Sequence, residues 1–157
     1  MTLAVTTYEW FKTVHVLAVV MWVGGGVTLT LLALMTIALR DPVRLVQFTR
    51  QAAFLGGTYF PPLSLMVVGF GFGLVEKGDF GYDLAWVQIG IAGWAASFVA
   101  GAGFLGPQSK RLAKMLEDRP PEDAGVQALI QRILLVARLD SVLLLFITLD
   151  MVAKPWS

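Results

Sequence analysis

From Val14 to Leu39 the chain reads VHVLAVVMWVGGGVTLTLLALMTIAL, 26 residues with no Asp, Glu, Lys or Arg. A bilayer-spanning helix needs roughly 20 mostly apolar residues, so this stretch alone is long enough. It also exceeds the roughly 7–15 apolar residues of a secretory leader, and its flank carries Glu9 as well as Lys12. The expectation is a retained first span. Three more stretches of the same kind follow, at about 52–75, 84–105 and 133–152, the last interrupted by Arg138 and Asp140. The spans predict helices, because a strand barrel would show many alternating segments of about ten residues.

Composition agrees. Of 157 residues, 57% are hydrophobic and 15% charged, against about 45–50% and 25% in soluble domains. Mean hydropathy is +0.72. Such a chain is not disordered. Twelve Lys and Arg against 11 Asp and Glu leave no basic surplus for a nucleic-acid partner. With no cysteine there is no disulfide framework, thiolate zinc site or iron–sulfur cluster. His15 is the only histidine, which excludes a two-His site within one chain. No nucleophile elbow surrounds any of the serines.

Lys and Arg in short loops set orientation. Arg40, Arg44 and Arg50 lie between spans one and two. Lys110, Arg111, Lys114, Arg119 and Arg132 lie between spans three and four, whereas Lys12, Lys77 and Lys154 are alone in their segments. Both termini are therefore expected outside and both basic segments in the cytoplasm of a bacterial inner membrane. Aromatic belts are expected at Tyr8, Trp10 and Phe11, at Phe80, Tyr82 and Trp86, and at Trp156. Leu112, Met115 and Leu116, then Val126, Leu129, Ile130 and Ile133, recur at helical spacing around the Arg119-Pro120-Pro121 break. They predict a short cytoplasmic helical hairpin extending helices three and four. The fold expected is a single all-α domain, a transmembrane four-helix bundle.

Small residues at helical spacing predict close packing: Gly93, Ser97 and Gly101; Gly69 and Gly73; Gly24-Gly25-Gly26. The same faces would also leave room for a flat cofactor. Gly69 to Gly73 lacks the strand and the Lys-Ser/Thr of a phosphate loop. Pro61-Pro62 predicts a kink in the second span, either fitted to the bundle or opening onto a pocket.

Charges at bilayer depth cost at least about 2.5–3.5 kcal/mol, so each demands a partner, water or a task. The predicted topology puts His15 and Asp150 at similar depth. An imidazole N–H donated to that carboxylate would leave the other nitrogen free for a metal or a proton. Asp140 needs a donor from another helix, drawn from Gln51, Thr58, Gln88, Ser97 or an arginine of the first loop. Lys12, His15, Trp22 and Gly26 share one helical face, which could receive a porphyrin edge.

Trp10-Phe11-Lys12-Thr13-Val14-His15 through Trp22-Val23-Gly24-Gly25, together with Arg138-Leu139-Asp140 and Asp150-Met151-Val152-Ala153-Lys154-Pro155, resembles the DUF2269 family of small bacterial integral membrane proteins over nearly the whole chain. The first helix is also similar to CopD and HemJ-type membrane proteins. The latter resemblance implies haem b at His15; Met151, or a second His15 in a homodimer, would then be the other ligand, and Lys12 a partner of a propionate. Three readings result. One is an accessory or interaction subunit with the bilayer, a second copy or a larger complex as partner. Another is a b-type haem protein with His15 as ligand and Asp150 behind it. The third is a proton- or ion-coupled carrier using Asp140 and Asp150.

Overall fold

The computed structural model describes residues 6–78 and 80–154, and among them no strand occurs. The helices are α1 Thr7–Ala38, α2 Pro42–Thr58, α3 Phe60–Lys77, α4 Ala85–Phe98, α5 Gly106–Asp118 and α6 Ala124–Ala153, with a π-helical segment Val99–Leu105 joining α4 to α5. Two joints do not interrupt the rods, so the chain makes four long helical runs. Three of them, Thr7–Ala38, Pro42–Lys77 and Ala85–Asp118, are long and apolar enough to cross a membrane. These three mark the chain as a membrane protein. The fourth, α6, carries Arg138, Asp140 and Asp150 within its apolar run.

The exterior supports this. Val20, Met35, Phe54, Leu139, Val142 and Leu149 are each at least 54% exposed, Leu149 reaching 67%. A water-soluble monomer rarely carries apolar surface on that scale.

Local chemistry sets the helix limits. Thr6 and Glu9 form a capping box at the start of α1: the Thr6 hydroxyl accepts from the Glu9 N–H at 3.2 Å, and the Thr6 N–H donates to the Glu9 carboxylate at 2.7 Å. This extends the first helix seven residues beyond the expected Val14. Asp41 caps α2 through the N–H groups of Val43 and Arg44. The second rod therefore starts at Pro42, ten residues before the expected 52, and Arg44 and Arg50 lie on a helix rather than in a loop. Asp123 caps α6 in the same way.

The expected hairpin forms from α5 and the first turns of α6. Leu112, Leu116, Val126, Leu129, Ile130 and Leu134 bury together, and Met115 and Ile133 pack against them. It does not project freely, however. Leu45 and Val46 of α2 and Leu34 and Ile37 of α1 cover it, and Arg50 meets Glu117 at 3.3 Å. A second core joins α1, α3 and α6 through Ala18, Trp22, Val23, Leu63, Val67 and Leu144.

Glycines let the rods approach. A Cβ on Gly73 would strike the Phe11 ring, one on Gly90 the Met151 methyl, and one on Gly93 the Ile147 side chain. Gly24, Gly26, Gly69 and Gly101 would meet nothing within 4 Å. Packing thus accounts for some members of each small-residue run and leaves others facing open space. At the α3–α4 end, Phe80 stands edge-on to Tyr8 and Trp86, and the Lys154 ammonium sits 4.6 Å from the Trp86 ring centre. Tyr82 donates to the Glu76 carboxylate at 2.9 Å, which holds the phenol above its ordinary pKa. The expected belt residue Trp156 lies outside the described residues.

Gly93→Val should lower the unfolding midpoint in detergent, since overpacking a seam costs about 1–3 kcal/mol. Gly24→Ala, with open space at its Cβ, should leave the midpoint unchanged or slightly raised. Equal midpoints for the two variants would show that the α4–α6 seam is not closely packed.

Candidate functional site

Between α1, the α2–α3 rod, the stretch from Ser97 to Leu112 and α6 lies a cavity of about 160 Å³. Along α1 it runs from Trp22 to Ala33, roughly 16 Å at 1.5 Å per residue. It is therefore narrow and long. Its walls are chiefly apolar, with Trp22, Phe48, Phe60 and Phe98 among them, and its polar lining is Thr30, Thr49, Ser64, Ser97, Ser109, Asp140 and Ser141.

Two backbone irregularities shape this space. Pro61 and Pro62 lack the N–H groups that would reach Gly57 and Thr58, so the second rod kinks where α2 ends and α3 begins, at Tyr59. The Tyr59 hydroxyl then donates to the Met21 carbonyl at 3.2 Å and fixes the bend against α1. In the third rod, Pro107 cannot donate to Gly103 and its ring would crowd that carbonyl. The turn before it widens, the Gly106 N–H bonds to Gly101, and the π segment results. This puts Gly101, Ala102 and Leu105 on the cavity wall. At Gly56 a Cβ would stand 3.5 Å from the Gly106 Cα, so two glycine backbones meet where α2 crosses α5. Single-turn π bulges often mark functional positions. The Gly-rich run ahead of Pro107 was the available sequence signal for this one.

Asp140 is the only charged residue on the wall. Its Oδ1 is buried and has no hydrogen-bond partner among the described residues. Ser97, itself 2% exposed, lines the same wall. Of the donors expected for Asp140, Ser97 is the one that shares the cavity wall with it. Gln88 turns instead to the Tyr82 carbonyl at 3.2 Å, and Gln51 and Thr58 are exposed.

Three of the six lining hydroxyls are committed as donors to their own helices. Thr30 donates to Gly26 at 3.0 Å, Ser141 to Ala137 at 2.8 Å and Thr49 to Leu45 at 2.8 Å, all main-chain carbonyls. The Thr30 and Ser141 oxygens lie 3.3 Å apart. Ser64 receives the Trp94 indole N–H on its hydroxyl at 2.9 Å and on its carbonyl at 3.0 Å. What lines the cavity is thus a set of six hydroxyl groups and one carboxyl group.

The other expected site residues are dispersed. His15 packs in the α1–α3 seam, where Nδ1 donates to the Val67 carbonyl at 2.8 Å. A carbonyl can only accept, so Nδ1 carries a proton. A Cβ on Gly71 would stand 3.2 Å from the His15 ring. Asp150 is 4% exposed, and neither of its oxygens has a partner. No hydrogen bond or ion pair joins it to His15. The two do lie toward the same end of the rods, but Val67 takes the imidazole N–H that the sequence reading gave to the carboxylate. Met151 is occupied against Gly90 in the α4–α6 seam, and Lys12 is exposed. His15, Lys12 and Met151 line no common cavity among the described residues. These positions do not fit a porphyrin held between His15 and Met151. No group of three or more metal-ligating side chains is present among the described residues either.

The chain matches no family model, no curated protein and no solved structure.

A carboxyl group with an unpartnered buried oxygen is a stability cost, and an apolar replacement of similar volume often gains 1–4 kcal/mol. Asp140→Leu, with the cavity beside it to take the side chain, should raise the unfolding midpoint in detergent by an amount corresponding to about 1–3 kcal/mol. A lowered midpoint would show that Asp140 serves as an interhelix tie.

Proposed function

We propose that the protein is a four-span integral protein of a bacterial inner membrane, with both termini outside, that exchanges a proton or a cation through Asp140. The observation that carries this reading is the cavity itself, whose one charged lining group among the described residues is the Asp140 carboxyl, set on a wall with the hydroxyl groups of Thr30, Thr49, Ser64, Ser97, Ser109 and Ser141. An ionised carboxylate in a low-dielectric site must be neutralised by a proton or a cation. The cavity reaches from Trp22 down to Leu112 beside the basic α5 segment, so the exchange is with the cytoplasmic side. This is the carrier reading of the sequence, narrowed to Asp140. An accessory subunit without chemistry would leave the cavity and its carboxyl group without a use. The DUF2269 likeness belongs to the same proposal and rests on the residues quoted for it.

The orientation is open to direct labelling, because the chain has no cysteine of its own. Lys77→Cys, between α3 and α4, should react with a membrane-impermeant maleimide on intact cells. Glu122→Cys, between α5 and α6, should react only after permeabilisation. The reverse pattern would overturn the orientation.

In proteoliposomes carrying an imposed pH gradient and entrapped pyranine, the native protein should admit protons in the presence of Na⁺ or K⁺. Asp140→Asn should slow that entry at least about tenfold, the size of effect expected from losing a general proton-transfer group, and Asp140→Glu should keep part of it. Proton entry at the protein-free rate for both native protein and variant would refute the exchange reading.

A further inference from the structure

The cavity also discriminates between kinds of cation, and this step rests on the exchange reading just given. A small hard metal ion asks for about six oxygen ligands in a compact shell. Here the hydroxyls of Thr30, Thr49, Ser64, Ser97, Ser109 and Ser141 come one from each of the six helices and line an elongated slot walled by Phe48, Phe60, Phe98 and aliphatic side chains. Trp22 carries the only side-chain N–H on the wall, and no Lys, Arg or His is present there. The one charged group on the wall is a carboxyl, so an occupant with one positive charge and donors of its own is matched there, and its remainder must be apolar and slender. A void near 150 Å³ holds a benzene-sized molecule, and this one, at about 160 Å³, is drawn out along the rods.

We infer that the Asp140 cavity binds an organic monocation with a primary ammonium head and a short apolar tail. The ammonium donates to the Asp140 carboxyl group and to the Thr30 and Ser141 oxygens. These lie 3.3 Å apart, and each has a nearer carbonyl for its own proton. The tail lies along the α5 side against Phe48, Leu105 and Leu134, which line the same slot. The aromatic faces add cation–π attraction near the head.

The test is calorimetric titration of the full chain in a neutral detergent with n-hexylammonium chloride, with n-hexanol and with NaCl and KCl. Native protein should bind hexylammonium at least about tenfold more tightly than hexanol, the effect expected of a charge-assisted hydrogen bond. Asp140→Asn should reduce that preference to within about twofold. Ser141→Val, which removes one acceptor and leaves the carboxyl group, should weaken hexylammonium several-fold and leave hexanol unchanged. If either variant fails to fold, the hexylammonium-to-hexanol ratio of the native protein decides by itself. Equal affinity for the two probes would overturn the inference and leave an apolar slot. Saturable Na⁺ or K⁺ binding without hexylammonium binding would overturn it while preserving exchange at Asp140. Absence of binding by every probe, together with proton entry unaffected by Asp140→Asn, would overturn both.

Discussion

In hydrocarbon there is no water to satisfy a polar group, so every one of them must find its partner inside the protein. This constraint organises the whole structure. Thr13, Thr30, Thr36, Thr49, Thr58, Ser141 and Thr148 each bond back to the carbonyl one turn earlier. Trp94 reaches Ser64, Tyr59 reaches Met21, and His15 reaches Val67. The exceptions are the two carboxyl groups, Asp140 and Asp150, whose buried oxygens lack partners among the described residues. Departures from so general a constraint are informative, because a charge left unpaired in lipid costs more than it would in water.

The void beside Asp140 arises from two proline effects acting at the same depth. The helix is interrupted at Tyr59 ahead of Pro61 and Pro62, the π segment lies before Pro107, and Phe60 and Pro61 line the void together with Gly101, Ala102 and Leu105. Close approach elsewhere keeps the rods from collapsing into the gap. Gly73 admits Phe11, Gly93 admits Ile147, and Gly56 meets Gly106. Seams tightened by glycine thus flank a space that straight helices would have filled.

Much of this was legible in the sequence. The apolar run from Val14, the Arg119-Pro120-Pro121 break and the stripe from Leu112 to Ile133 fixed helix number and the α5–α6 hairpin, because each depends on local periodicity and on proline. Asp140 was legible as a group in need of a donor, with Ser97 among the candidates. Three things were not legible. The capping signals at Thr6 and Asp41 move helix starts by many residues while touching only a few atoms. The π segment needs the Gly-rich run and Pro107 to be read together. The pairing of His15 with Val67 involves a main-chain carbonyl, and a carbonyl leaves no mark in sequence.

The sequence by itself determined the class of the molecule, since apolar content, run length and the placement of proline act locally and independently of neighbours. It also settled which chemistries are absent, because a chain without cysteine and with one histidine cannot assemble certain sites. Only the tertiary structure decided which polar residues meet. His15 and Asp150 lie toward the same end of the rods and do not pair, while Asp140 and Ser97, 43 positions apart, line one cavity. Rod rotation and tilt govern such meetings, and they are set by side-chain packing between helices, which no single helix encodes.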